Sequence, residues 1–278
     1  MPAMNYCIRL SVPALIYGLV LLVPSIITAQ TAVPIPTLFN TGVSSNNSDG
    51  SPATLTADGA TDPHYAIVAG VDGAISPYVT KTGAYPFLYW SLDTTNSKWI
   101  SPQATYAGLL QDPVGSYTYR TTFDLTGIKT NTLSISGQLA ADNAITAVRI
   151  NGFDFGYSQS ANDQILHPFS LPNGHYVSGV NTLEIDVLNY SPDGGNPSGL
   201  RAEFTASANL PLLTIGGLGN NVILTWPTNY TGFTLQSTTN LVPPAAWTAV
   251  SPAPVVVNTN FTVTNAASSA QMLYRLTQ

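Results

Sequence analysis

The chain has 278 residues, only 8% of them charged, and its 14 acids against 8 Lys plus Arg give a formal net charge of −6. Soluble domains are typically about 25% charged. At 44% hydrophobic the chain is too apolar for disorder, too sparsely basic for a nucleic-acid footprint, and too poor in Glu and Lys for a coiled coil.

The first segment reads MPAMNYCIRLSVPALIYGLVLLVPSIITAQ, with Arg9 as its only charge and an apolar run from Leu10 to Ile27. Pro24 can break a helix there, and Ile27-Thr28-Ala29 puts an aliphatic residue at −3 and a small one at −1 of a cut after Ala29. That is the layout of a secretory signal peptide. Residues 1–29 are therefore expected to be removed on export to the periplasm, the cell surface or the medium, and no later stretch is apolar enough for a spanning helix. Cys7, the sole cysteine, leaves with the leader. This excludes disulfides, thiolate metal sites and thiol catalysis from the remainder.

Residues 30–37 read as a Pro-containing linker, and from Leu38 to Ala208 the text is strands and turns. Tyr117, Tyr119, Thr121, Phe123 and Leu125 share one strand face, and Thr118, Arg120, Thr122 and Asp124 the other. Leu133, Ile135, Gly137 and Leu139 alternate with small polar residues. Ala140 to Ala147 is too short for a helix and is broken by Asp142-Asn143. Val148 and Ile150 flank Arg149 ahead of Asn151-Gly152, a hairpin dipeptide. Leu183, Ile185 and Val187 alternate with Glu184, Asp186 and Leu188, and Leu200, Ala202, Phe204 and Ala206 with Arg201, Glu203 and Thr205. Period-2 patterns of this kind describe antiparallel sheets with one dry and one wet face. If these last two strands pair, Glu184 and Asp186 fall near Arg201 or Arg149, a cross-strand charge pairing worth roughly 0.2–1 kcal/mol.

The text changes at Asn209-Leu210-Pro211-Leu212, where a second strand-rich block, 209–278, begins. Its apolar faces are Val222, Leu224 and Trp226, then Phe233 and Leu235, then Phe261 and Val263, then Met272, Tyr274 and Leu276.

Ordered segments give the first block a recognisable character: LFNTGV (38–43), DPHYAIV (62–68), SKWISP (97–102), GSYTYRTTFDLTG (115–127), LSISGQLAADN (133–143), VRINGFDFG (148–156), VSGVNTLEIDVLN (177–189) and SGLRAEF (198–204). Residues 38–208 resemble a galactose-binding-like jelly-roll domain of exported bacterial proteins. Residues 209–278 resemble a fibronectin-III-like module, through VILTWP (222–227), GFTLQSTTNL (232–241), AAWTAV (245–250) and MLYRLT (272–277). The resemblance implies an all-β chain, a jelly-roll β-sandwich followed by a small immunoglobulin-like β-sandwich. It transfers no catalytic residue.

The residues themselves offer no catalytic constellation. Gly156-Tyr157-Ser158-Gln159-Ser160 lacks the last glycine of a nucleophile elbow. His64, His167 and His175 lack metal-ligand spacing, and His64 reads as a turn residue. Most acids sit in turn text such as Asp58-Gly59 and Asp193-Gly194. Asp142, Asn143 and Asp193 are the candidate ligands for a structural calcium; no other cofactor is expected. Trp99 and Trp226 read as core. Trp90, Tyr89, Tyr106, Tyr157 and Tyr190 lie in loop text and are the candidate aromatic platforms for a sugar ring, with Asn189 and Arg201 as polar partners. The expectation is a noncatalytic exported protein that binds a glycan or cell-surface polymer. The alternatives are a structural or adhesive envelope or matrix protein without a small ligand, and a hydrolase or hydrolase accessory.

Overall fold

A computed structural model describes residues 8–11, 32–45, 53–71, 73, 75–83, 87, 89–103, 112–160, 165–171, 173–190, 197–267 and 271–277. Among the described residues the chain is all β, with one short 3-10 turn at Thr130–Thr132. Along the chain the strands are β1 (Ile8–Ser11), β2 (Ala32–Pro34), β3 (Val43–Ser45), β4 (Thr54–Leu55), β5 (Ala66–Ala69), β6 (Tyr78–Val79), β7 (Ile100–Ser101), β8 (Gly115–Asp124), β9 (Ser134–Asp142), β10 (Ala144–Ile150), β11 (Phe153–Asp154), β12 (His167–Leu171), β13 (Val180–Asn189), β14 (Gly199–Asn209), β15 (Thr214–Leu218), β16 (Asn221–Pro227), β17 (Thr234–Thr238), β18 (Thr248–Ala249), β19 (Val255–Val257), β20 (Asn260–Ala266) and β21 (Gln271–Thr277). They form two compact units. The larger spans 33–126 and 130–208; the smaller holds 209–278, 127–129 and the described part of 1–32. The leader's apolar run beyond Ser11 and the cut after Ala29 lie outside the described residues.

In the larger unit one sheet runs β11-β10-β13-β8-β5 and the other β12-β9-β14-β7-β6, with β2 beside β14. β8 and β13 are its longest pair, from Val180 opposite Asp124 to Asn189 opposite Gly115. The period-2 pattern decides which side chains go inward. Tyr117, Tyr119 and Phe123 of β8, Leu183, Ile185 and Val187 of β13, and Val148 and Ile150 of β10 are buried. Ile135 and Leu139 of β9 are buried from the other sheet, and β9 packs against β10 and β13. Each such large side chain contributes about 1.5–3 kcal/mol on burial. Asn151 and Gly152 both take positive φ, 50° and 81°, as a two-residue type I′ hairpin requires.

The strands that carry Glu184 and Arg201 do not pair, and of the two arginines considered as partners Arg149 is the one met. β13 and β14 lie in different sheets: β13 pairs with β10 and β8, while β14 pairs with β9 and β7. The chain changes sheets between Asn189 and Gly199. Glu184 and Asp186 therefore meet Arg149 and Arg120, and never Arg201.

The smaller unit has the sheets β15-β16-β20-β19 and β1-β21-β17-β18. Its core is Leu213, Val222, Leu224, Trp226, Leu235, Val263, Tyr274 and Leu276, with Phe233, Phe261 and Met272 half-buried against it.

Candidate functional site

The chain turns from β9 into β10 at Asp142-Asn143, at one end of the larger unit. Asp142 is buried; its Oδ2 accepts the Trp90 indole N–H at 2.7 Å, and its carbonyl accepts Ser198 Oγ at 3.0 Å. Asn143 Oδ1 accepts the Tyr190 backbone N–H at 3.0 Å. Asn189, fully buried, donates to the Asp112 and Pro113 carbonyls. The Asp112 carboxylate accepts Ser198 N at 2.6 Å and Gln103 Nε2 at 3.0 Å. Buried carboxylates are tolerated when donors meet them in this way. The result is a polar web that fixes the segments around 90, 112, 142 and 190 against one another.

Aromatic packing completes the anchor. The Trp90 ring sits 4.5 Å from Phe87 and 4.4 Å from Trp99, and Trp99 donates to the Ser91 carbonyl at 2.9 Å. Gly199 makes room: a Cβ there would lie 2.5 Å from the Trp90 ring.

Tyr89 and Tyr190, the chain neighbours of Trp90 and Asn189, point the other way. They are 75% and 47% exposed. The fold thus brings Tyr89, Trp90, Asp142, Asn143, Asn189 and Tyr190 to one end of the sandwich, and of the three rings in this group the two tyrosines face solvent. Tyr157 is elsewhere, half-buried with its ring edge-on to Phe169. Tyr106 and Asp193 lie outside the described residues.

Trp90, Asn189 and Arg201 serve the interior instead of presenting a surface. Trp90 and Asn189 belong to the web. Arg201 lies on the nominally wet face of β14 yet is fully buried, because the 91–97 loop covers it. Its Nε donates to Ser97 Oγ at 2.8 Å, Nη1 to the Leu92 carbonyl, and Nη2 to Thr94 Oγ1 and Glu203 Oε1 at 3.1 and 3.2 Å. Trp99 and Trp226 are core residues, as expected.

Of the calcium candidates, Asp142 and Asn143 both belong to the web. Asp142 Oδ2 accepts from Trp90, and Asn143 Oδ1 accepts from Tyr190. Among the described residues no group of three or more His, Cys, Asp or Glu gathers as a metal site. Asp62 anchors a turn, accepting the N–H groups of Gly42, His64 and Tyr65. His64 stacks on Phe39 with ring centroids 3.5 Å apart.

The outer face of the five-stranded sheet carries a charge ladder. Glu184 accepts from Arg120 and Arg149, and Asp186 accepts from Arg149 and Thr118. Partial burial pushes the Glu184 carboxyl up, but the bonds from Arg120 and Arg149 outweigh it and hold it below its usual value.

Two groups carry no local signal in the sequence. Asp112, Ser198 and Gln103 complete the web across separations that no local pattern reveals. At the far end of β10, Phe153 stacks on His175 at 3.4 Å with Phe155 edge-on to both. The Asn151-Gly152 turn marks the hairpin, but nothing local marks the arrival of His175.

No protein-family model matches the chain, and no curated protein matches it. Among solved structures it is similar to an apo β-glucuronidase from Ruminococcus gnavus (12% identity, 59% of this chain and 33% of that one, TM-score 0.24). It is also similar to a β-glucuronidase from Bacteroides uniformis (12% identity, 77% and 26%, TM-score 0.26). A third is a putative β-galactosidase from Bacteroides fragilis (13% identity, 61% and 28%, TM-score 0.22). The chain spans a third or less of the length of these proteins.

Proposed function

We propose that the chain is an exported, noncatalytic binding protein. Its larger unit, a galactose-binding-like jelly roll, holds a glycan or cell-surface polymer at the loop end, and its fibronectin-III-like module is an accessory. The observation that carries this reading is the pair Tyr89 and Tyr190, exposed on segments whose neighbouring residues are locked into the buried web. A pyranose packs its C–H face on such a ring, and a ring on a rigid support binds with little ordering cost.

The disposition of the acids supports the noncatalytic reading. A glycosidase needs two facing carboxyl groups, one of them with a raised pKa. Glu184 and Asp186 are bound to arginines, and Asp112 and Asp142 accept from the web. Asp93, pushed up by burial, lies in the combined field of Lys98, Arg201 and Asp58, and Asp58 is itself paired with Lys98.

Polysaccharide pull-down and glycan-array binding of the secreted chain test the reading. Wild type is expected to retain one class of polymer, and the Tyr89→Ala/Tyr190→Ala double variant to lose it at an unchanged melting temperature. A folded wild type that binds no polymer would overturn it.

A further inference from the structure

Strand β1 is the leader's Ile8–Ser11, and it lies antiparallel on β21, with Ile8 opposite Tyr274 and Ser11 opposite Gln271. Cleavage after Ala29 removes β1 and uncovers that backbone edge. The next described strand, β2, is already paired with β14 and does not replace it.

The uncovered edge differs from the others of the smaller unit. β18 has two residues. β19 has three and follows Pro252 and Pro254. β15 has five, two of them glycine. Shortness, proline and charge are the devices that blunt an edge strand. β21 has seven residues, QMLYRLT, with no Pro, Gly, Lys or acid. Its one charge, Arg275, lies 4.2 Å over the Trp247 ring and donates to Gln236, away from Gln271–Tyr274.

We propose that in the mature protein the β21 edge pairs with the β21 edge of a second copy, forming a two-fold dimer with one sheet continuous across both smaller units. A two-fold axis brings identical strands together antiparallel, the sense in which this edge already receives β1. The occupant is also electrically compatible, since Gln271–Tyr274 carries no charge to repel its copy. The inference rests on the export reading above, because only leader removal uncovers the edge.

Light scattering of the secreted chain across a concentration series, with intact mass to locate its N-terminus, is the test. The expected result is a chain starting at Gln30, dimeric at high concentration, with the amides of Gln271–Tyr274 protected from hydrogen exchange and losing that protection on dilution. Gln271→Lys, at a half-buried position, is expected to weaken the dimer about tenfold or more by putting a charge on the paired edge, with the Trp226 fluorescence unchanged. A leaderless chain that stays monomeric, or a dimer whose Gln271–Tyr274 amides exchange freely, overturns the inference alone. A secreted chain that keeps its leader overturns the export reading and the dimer with it.

Discussion

The Trp90 indole N–H donates to Asp142 Oδ2 at 2.7 Å with both residues buried, joining the aromatic loop to the β9–β10 turn. Hydrogen bonds to charged groups contribute about 1.5–3 kcal/mol. Trp90→Phe keeps a ring but removes the donor, and a loss of about 1.5–3 kcal/mol is expected in urea unfolding. A double-mutant cycle with Asp142→Ala isolates the bond; additivity within about 0.5 kcal/mol would show that it carries nothing.

Adjacent residues separate binding from stability. Tyr89→Ala is expected to change stability by no more than about 0.5 kcal/mol, as exposed positions do, while abolishing polymer retention. Trp90→Ala removes a ring packed between Phe87 and Trp99 and is expected to cost about 3–5 kcal/mol. Calorimetry alongside pull-down distinguishes the two; a Tyr89→Ala variant that binds like wild type counts against the platform.

Gly137 lets β9 and β14 meet closely, since a Cβ there would lie 1.9 Å from the Glu203 carbonyl oxygen. Gly137→Ala must displace backbone, and a loss of at least about 1–3 kcal/mol is expected. At Gly216 a Cβ meets nothing within 4 Å, so Gly216→Ala serves as the neutral control. Equal melting temperatures for the two variants would contradict the close approach of β14 to Gly137.

The charge ladder makes part of the stability acid-sensitive. Glu184 sits below its ordinary 4.5 in the fold, so its contribution is complete above that value and is lost as pH falls through the folded pKa. Glu184→Gln is expected to flatten the stability curve between pH ~5 and ~3. Raising the salt should weaken the wild-type ladder by less than about 1 kcal/mol per pair, since Arg120 is partly exposed. Parallel curves for wild type and variant would remove Glu184 from the account.

Chelation probes the β9–β10 turn. Because Asp142 and Asn143 already satisfy protein donors, adding EDTA is expected to leave the melting temperature unchanged. A drop of several degrees would reveal a cation that holds the loop end together.

The sequence by itself determined the all-β class and the apolar faces that the long strands bury. Tyr117, Tyr119, Phe123, Leu183, Ile185 and Val187 could be assigned inward because side chains alternate with period 2 and apolar burial dominates each strand separately. The Asn151-Gly152 hairpin was equally legible, since its positive φ angles are a local requirement.

Which strands become neighbours was decided only in three dimensions. β13 and β14 follow each other in the chain yet join different sheets, so Arg149 and Arg120, and not Arg201, neutralise Glu184. Arg201 has the alternation of a wet-face residue, but a loop from about a hundred residues earlier covers it. The same holds at the site: Tyr89 and Trp90 look alike in loop text, and one is exposed while the other is buried on Asp142. Exposure depends on what distant segments lie on top, and a period of two residues carries no information about that.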